Sequence, residues 1–357
     1  MDATTARAVR YARAGARWSR LLTRGRPDPG VRVFYGHDEV PAPGEPVAGG
    51  TAKFQRLATR FPNHPTDFSL LYLGSTWLPR DLRALLWHVR RRSIPLLLNQ
   101  NGVGYPGWAG SDAETFNRPL RTVLGAAEHV LYQSAFCKRA ADELVAEPAG
   151  SWEILHNAVE TRHFTPAEQP PEGGPVLLLG GDQYQAYRFE LGLETLAALL
   201  PSSPDAQLLV TGRLVSSPEP LVERLGLGQH VHFLGRYAQA EAPAIFRRAH
   251  VLLHTKVNDP CPSLVIEAMA CGLPVVYPRS GGVPELVGDD AGIGVPHPDG
   301  FERDEPPSAE ELADAVTRVL ADLPAYAAAA RSRAVDRFAL EPWLDRHGEL
   351  FARFAPR

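Results

Sequence analysis

Along the chain, short uninterrupted apolar runs alternate with longer stretches in which apolar residues recur every three or four positions. The runs at 31–35, 68–74, 95–99, 129–134 and 152–155 have strand length. Their continuous apolar character predicts strands buried on both faces of a parallel sheet. Helical spacing at 81–92 and 136–145 lies between them, and Thr51 is placed to cap a further helix through Arg60. Residues 161–175, rich in Pro, Glu and Gly, interrupt both periods and predict an interdomain linker. The pattern restarts at 176–179, 207–211, 230–234, 251–254, 273–277 and 292–295, then ends in amphipathic helices at 309–323 and 342–354. Alternation of this kind builds βαβ units, so the fold class is α/β with two parallel-sheet domains.

A separate pattern opens the chain. Between residues 6 and 24, arginines at steps of three and four fall on one helical face, beside a stripe of Tyr11, Ala14, Trp18, Leu21 and Leu22. Such a basic amphipathic helix has two readings. It adheres to an anionic membrane surface, or it carries a solvated charged face over a stripe docked on the protein body.

Length and composition agree with the division. A chain of 357 residues accommodates two domains of roughly 150–200 residues each. With 44% apolar and 22% charged residues the composition is that of an ordinary globular protein, and no run approaches the ~20 apolar residues of a membrane span. No secretory leader is evident, so a cytoplasmic location is expected, peripheral at the inner face of the membrane if the basic helix binds it. Cys137, Cys261 and Cys271 have no C-x-x-C spacing, which speaks against a disulfide framework or a thiolate metal site. The net charge of −4 gives no nucleic-acid footprint.

The segment richest in chemistry runs from His254 to Pro274. Ser263 is placed to cap a helix that ends at Gly272 and Pro274, so Glu267 sits about one turn inside it and Asp259 lies in the preceding loop. Free N–H groups at a helix start favour an anion, and the two carboxylates can accept from hydroxyls. A phosphate joined to a sugar presents both kinds of group. The alternative is ordinary α/β packing in which the acids complement the helix dipole.

This stretch resembles the paired-acid region of the family 4 (group 1) retaining glycosyltransferases, with Asp259 in the first Glu position and Glu267 in the second. The similarity extends through Cys271–Val287, back through His232–Tyr237 and Ala249–His254, and to Asn157–Pro166, so most of residues 30–350 can be placed. Residues 49–57, 99–108 and 259–262 resemble one branch of that family with no defined acceptor. The resemblance implies a GT-B fold: two Rossmann-like domains facing across a cleft. Its parts would be the basic helix and linker (1–30), an acceptor domain (31–165), a donor domain (166–335) and a last helix (336–357) packing back on the first domain.

The resemblance further implies that Glu267 holds the nucleotide ribose and Asp259 the donor sugar's hydroxyls, with Arg188 on the diphosphate. Gly180, Gly181, Pro262, Ser263, Leu264, Arg236 and Tyr237 would complete the donor site. The family's second phosphate cation is missing from the loop at 180–188, and Lys256 or Arg213 would stand in for it. Asn99, Gln100 and Asn101 occupy the place where the family often carries a His; amides bond sugar hydroxyls but take no proton near neutral pH. His37 and Asp38 are the remaining candidates for a base, with Gly49 and Gly50 beside them on the acceptor side. No D-x-D pair and no His spacing suggests a metal, so the donor would be held without one, and no cofactor is called for beyond the nucleotide-sugar co-substrate. The expected reaction is transfer of a hexosyl group, with retention, to a hydroxyl acceptor: an envelope glycolipid or polysaccharide precursor, or a small metabolite. The alternatives are a nucleotide-sugar 2-epimerase of the same fold and a non-catalytic nucleotide-sugar-binding partner, suggested by Asp259 in place of Glu.

Overall fold

The computed structural model describes residues 14–23, 30–42, 44–45, 49–169 and 171–356. Strands β1 (Val33–Phe34), β2 (Leu70–Gly74), β3 (Leu96–Gln100), β4 (His129–Tyr132) and β5 (Ser151–Ile154) form one parallel sheet in simple sequence order. Every residue of its first four strands is buried, as continuous apolar runs require. Side chains alternate between faces: Leu71 and Leu73 point to one core, Leu70 and Tyr72 to the other.

With residues 14–23 as α1, the first domain's helices are α2 (Gly49–Arg60), α3 (Leu82–Arg92), α4 (Pro106–Ala109), α5 (Ala113–Leu124) and α6 (Ala135–Leu144). Helices α3, α5 and α6 bury Leu85, Val89, Leu120, Val123 and Phe136 against one face. Helix α2 covers the other face with Phe54 and Leu57.

The second sheet contains β6 (Val176–Leu179), β7 (Gln207–Thr211), β8 (Val231–Gly235), β9 (Val251–Leu253), β10 (Val275–Pro278) and β11 (Gly292–Val295). Its order is β11-β10-β9-β6-β7-β8, all parallel, so the direction of winding reverses between β6 and β9. Its helices are α7 (Ala186–Leu199), α8 (Glu219–Arg224), α9 (Ala242–Phe246), α10 (Ser263–Ala270), α11 (Val283–Val287), α12 (Ala309–Ala321) and α13 (Leu323–Phe338). Helices α10 and α13 lie on one face, α7 and α12 on the other.

The final helix, α14 (Leu340–Phe354), packs on the first domain, adding Trp343, Leu344, Leu350 and Phe351 to the core beneath α2. Tyr72 Oη and His347 Nε2 meet there at 2.9 Å. The return crossing lies beside the outward one: Val159 N donates to Phe338 O (2.9 Å), and Val159 and Ala339 form a parallel bridge.

Local details differ from the sequence expectations. Helix α2 starts at Gly49, two residues before Thr51, and α10 has Pro262, not Ser263, at its N-cap with no side-chain cap. Helix α13 was not expected, because its alanine-rich middle carries little hydrophobic contrast. The docked reading holds for residues 14–23 of the basic helix. Trp18 Nε1 donates to Asp81 at 2.8 Å, Leu21 enters the core, and Arg17 is only 4% exposed, paired with Asp38 (2.7 Å) and Asp81. The rest of that helix lies outside the described residues. No helix among the described residues is long and apolar enough to cross a membrane.

Candidate functional site

The reversal between β6 and β9 separates the loops that follow them, and a crevice opens at such a point. After β6, Gly180 lies so close to Leu264 that an added Cβ would sit 2.8 Å from Leu264 Cδ2. Gly181 has φ +82°, and a Cβ on Gly212 would fall 2.3 Å from its carbonyl oxygen. These bare positions let the loop lie against the first turn of α10, whose start has no side-chain cap. Asp182 braces the loop, accepting from Arg213 N (2.8 Å), Tyr184 Oη (2.9 Å) and the Arg236 guanidinium. Burial opposes its ionisation, but Arg236 and these donors hold the carboxyl down at about 2.

After β9, the backbone at Asn258 takes φ 52°, unusual for a residue with a side chain, and delivers Asp259. The carboxylate of Asp259 lies 3.3 Å from Lys256 Nζ and 3.4 Å from His254 Nε2. Burial alone would raise this carboxyl; Lys256, His254 and Arg188 together bring it well below the usual range. Arg188 is itself buried, donating to Asp182 O (2.9 Å), while its Nε has no protein partner. One turn into α10, Glu267 is 6% exposed and accepts from Gln239 Nε2 at 2.8 Å, with Arg56 Nη2 of the first domain at 3.4 Å. Burial raises its carboxyl despite Arg56. Tyr237 stands close enough to Glu267 to feel its charge, whereas Arg213 and Arg236 lie at the surface. The sequence candidates Gly180, Gly181, Arg188, Lys256, Asp259, Pro262, Ser263, Leu264 and Glu267 thus lie on the segments that follow β6 and β9 and on the first turns of α10.

The first-domain candidates divide. Asn101 lines the cleft, but Asn99 and Gln100 are buried at the end of β3, where Asn99 Oδ1 accepts from Lys53 Nζ and Gln133 Nε2. His37 stacks on Trp77 at 3.8 Å with Nε2 on the Trp77 carbonyl, and burial lowers its pKa. Asp38 is taken by Arg17. Both potential bases are therefore held in structural contacts. Gly49 and Gly50 open α2, with Gly50 against Thr76.

The domains meet through the loop that carries Asp259. Ser134 Oγ donates to Pro260 O at 2.7 Å, and Asn157 Nδ2 donates to Cys261 O at 2.8 Å. Gly282 approaches the Pro260 carbonyl so closely that an added Cβ would lie 2.0 Å from it. Glu285 caps the start of α6, accepting from Ala135 N (2.8 Å) and Phe136 N (3.0 Å), with His156 Nε2 at 3.2 Å. The segment after β11 reaches over the cleft. Phe301 enters the first domain's core, 5.7 Å from the rings of Tyr105 and Phe136, and Arg139 pairs with Asp299 at 2.8 Å. Within this frame lies a cavity of about 540 Å³, bounded by Asn101, Lys256, Asn258 and Pro260. A depression of about 530 Å³ between α7 and the start of α12 contains none of the candidate residues.

Sequence reasoning missed Lys53, Gln133, Asn157, His254, Arg56 and Gln239. Lys53 had a signal: it is one of three lysines in a chain where arginine supplies nearly all the cations, and Lys256 is another. The remaining residues are common types whose roles depend on long-range contacts.

Residues 162–334 match the family described as glycosyl transferases group 1. Among curated proteins, the chain is 23% identical to the gpi3 subunit of phosphatidylinositol N-acetylglucosaminyltransferase from Schizosaccharomyces pombe, over 60% of the chain and 46% of that protein. It is 28% identical to D-inositol 3-phosphate glycosyltransferase from Streptomyces bingchenggensis, over 49% of the chain and 43% of that protein. The chain therefore spans less than half the length of these relatives. Among solved structures, sucrose-phosphate synthase from Thermosynechococcus elongatus superposes with a TM-score of 0.65 at 22% identity, over 84% of this chain and 76% of that one. Anabaena HepE in complex with UDP gives 0.65 at 18%, over 80% and 79%. These likenesses show the GT-B fold.

Proposed function

From the premise that its second half is a group 1 glycosyl transferase domain on a GT-B fold, we propose that the chain transfers a hexosyl group from a nucleoside-diphosphate sugar to a hydroxyl acceptor with retention of configuration. The observation that supports this is the close approach of Gly180 to Leu264 in the uncapped first turn of α10, with the charges of Arg188 and Lys256 acting on Asp259 in the loop before that helix and Glu267 one turn inside it. In this reading the diphosphate lies over the glycine loop and the first amides of α10, where Arg188 and Lys256 supply positive charge. Glu267 accepts from the ribose hydroxyls and Asp259 from the sugar hydroxyls. With His37 and Asp38 engaged elsewhere, the departing phosphate oxygen takes the acceptor's proton on the face it leaves, which is compatible with retention. The names of the curated relatives and the UDP and UDP-glucose complexes of HepE support testing uridine donors first.

The test combines thermal shift against UDP and GDP hexoses with product analysis. A nucleotide at about 100 times its dissociation constant stabilises by roughly 2.7 kcal/mol. Glu267→Ala is expected to lose nucleotide affinity, and Asp259→Asn to lose transfer while keeping it. An α-linked product from an α-linked donor is expected, and an inverted product would overturn the mechanism. Donor consumed without any transfer would favour an epimerase, and binding without turnover a non-catalytic partner.

A further inference from the structure

The cavity at the cleft is graded in chemistry. The chain from Asn101 to Tyr105 runs along it, and two glycines record the direction. Gly102 faces the donor loop, where an added Cβ would lie 3.2 Å from Pro260 Cγ; Gly104 faces α5, where it would lie 2.7 Å from Ala113 O. At the first end the lining is polar: Ser75, Asn101, Lys256 and Asn258, flanking Asp259. Toward the second it is mainly apolar, with Val103, Phe116, Pro119, Leu120 and Phe136 joined by Tyr105 and Thr115. Trp108 and Phe116 stand at its rim, 41% and 52% exposed, with ring centroids 5.1 Å apart. Aromatic side chains so exposed beside a cavity mark a surface that a ligand covers.

The lining discriminates among acceptors. A free sugar buried here would turn hydroxyls toward Val103, Leu120 and Phe136, none of which can bond them, and each unpaired polar group is costly. A phosphorylated acceptor would find one cation in the lining, Lys256, already 3.3 Å from Asp259. A volume of about 540 Å³ suits an apolar body of drug-like size.

We propose that the acceptor is an amphiphile whose hydroxyl end lies among Asn101, Lys256 and Asn258 and whose uncharged apolar body fills the pocket between α5, α6 and the loop at 101–105. This inference rests on the reading of the cleft as a transfer site and narrows its acceptor. The pocket selects by contact area, so affinity rises with every buried methylene up to the length of the cavity.

The experiment uses the full chain and a series of n-alkyl glucosides, methyl, butyl, hexyl and octyl, with free glucose and glucose 6-phosphate, all below micelle-forming concentration. Binding is read by calorimetry, and transfer by release of nucleoside diphosphate from the preferred donor. Affinity is expected to rise by up to about fourfold per methylene, which is the transfer free energy of a buried methylene converted at RT. Free glucose and its phosphate should bind most weakly. Phe116→Ser, at a half-exposed position and with its fold checked by thermal melting, is expected to flatten the dependence on chain length. Equal affinity across the series, or tighter binding of the sugar phosphate, would overturn the proposal while any transfer observed left the glycosyltransferase reading standing. Chain-length-dependent binding with no donor turnover would leave the pocket assignment standing and remove the transfer reading.

Discussion

Gly282→Ala isolates the position of the Asp259 loop from its chemistry. Gly282 has φ −89° and ψ −2°, a bridge-region conformation that is allowed to alanine, so the substitution demands no left-handed backbone. Its new Cβ, however, would sit 2.0 Å from Pro260 O and 2.8 Å from Ser134 Oγ, where ordinary contact begins near 3.4 Å. The neighbours are a backbone carbonyl and a buried hydroxyl already joined to each other at 2.7 Å, so neither can rotate away. The loop must withdraw by about 1 Å, carrying Asp259 next to it, and a displacement of that size costs on the order of a hundredfold in rate. Overpacking also lowers stability by roughly 1–3 kcal/mol, so assays belong well below the variant's melting temperature. Ser134→Ala is the control. It deletes the bond to Pro260 O, and the cap on Cys137 N at the start of α6, without a clash; the cost of about 1–2 kcal/mol falls on stability, and kcat/KM should change far less than in Gly282→Ala. Steady-state kcat/KM for transfer, with nucleoside diphosphate affinity measured separately, is the readout. A folded Gly282→Ala protein with undiminished kcat/KM would refute the claim that the Asp259 loop sets the rate.

Four further outcomes are expected. Arg17→Ala takes the cation from Asp38 and Asp81, leaving Asp81 only the Trp18 Nε1 donor, and should destabilise by about 2 kcal/mol in denaturant titration, below the usual cost of a broken buried pair because both acids still reach water. Deleting residues 1–25 should likewise lower the melting temperature, since it removes Trp18 and Leu21 from the first domain. Burial brings the Lys53 ammonium to about 8 from 10.5, so between those values the unfolded chain binds more protons and stability rises with pH; relative to Lys53→Met, the wild type should gain about 2 kcal/mol from pH 7.5 to 9.5. A gain of the opposite sign would remove the buried charge. Excess EDTA should leave transfer undiminished, and loss restored by a divalent cation would show that the diphosphate needs a metal.

What the sequence made legible follows from how local each signal is. The runs at 176–179, 207–211 and 292–295 coincide with β6, β7 and β11, because an apolar run of strand length announces itself within its own few residues. Helix α13 escaped because alanine fits any helix face without marking one. Within the site, Asp259 and Glu267 were readable from their spacing around one helix start, whereas Asn99 and Gln100 were placed on the cleft and lie beneath it. Strand alternation and the reach of Lys53 from α2 decided that, and neither is encoded near residue 99. The engagement of His37 and Asp38 was invisible for the same reason: Trp77 and Arg17 are 40 and 21 residues away.

The lodging of α14 on the first sheet has a consequence for biosynthesis. Trp343, Leu344, Leu350 and Phe351 close a face that also contains Tyr72, Leu97 and Leu131, so the first domain is completed by residues made after the second. At about 5–20 residues per second, the whole second domain is translated while that face stays bare, an interval on the order of 10 s or longer. Throughout it, the half-built sheet exposes apolar side chains beside the ribosome, and the bond between Tyr72 and His347 can form only after α14 has left the ribosome. The nascent first domain is thus a natural client for a holding chaperone, and a chain stopped before residue 340 should accumulate as aggregate even with every cleft residue in place.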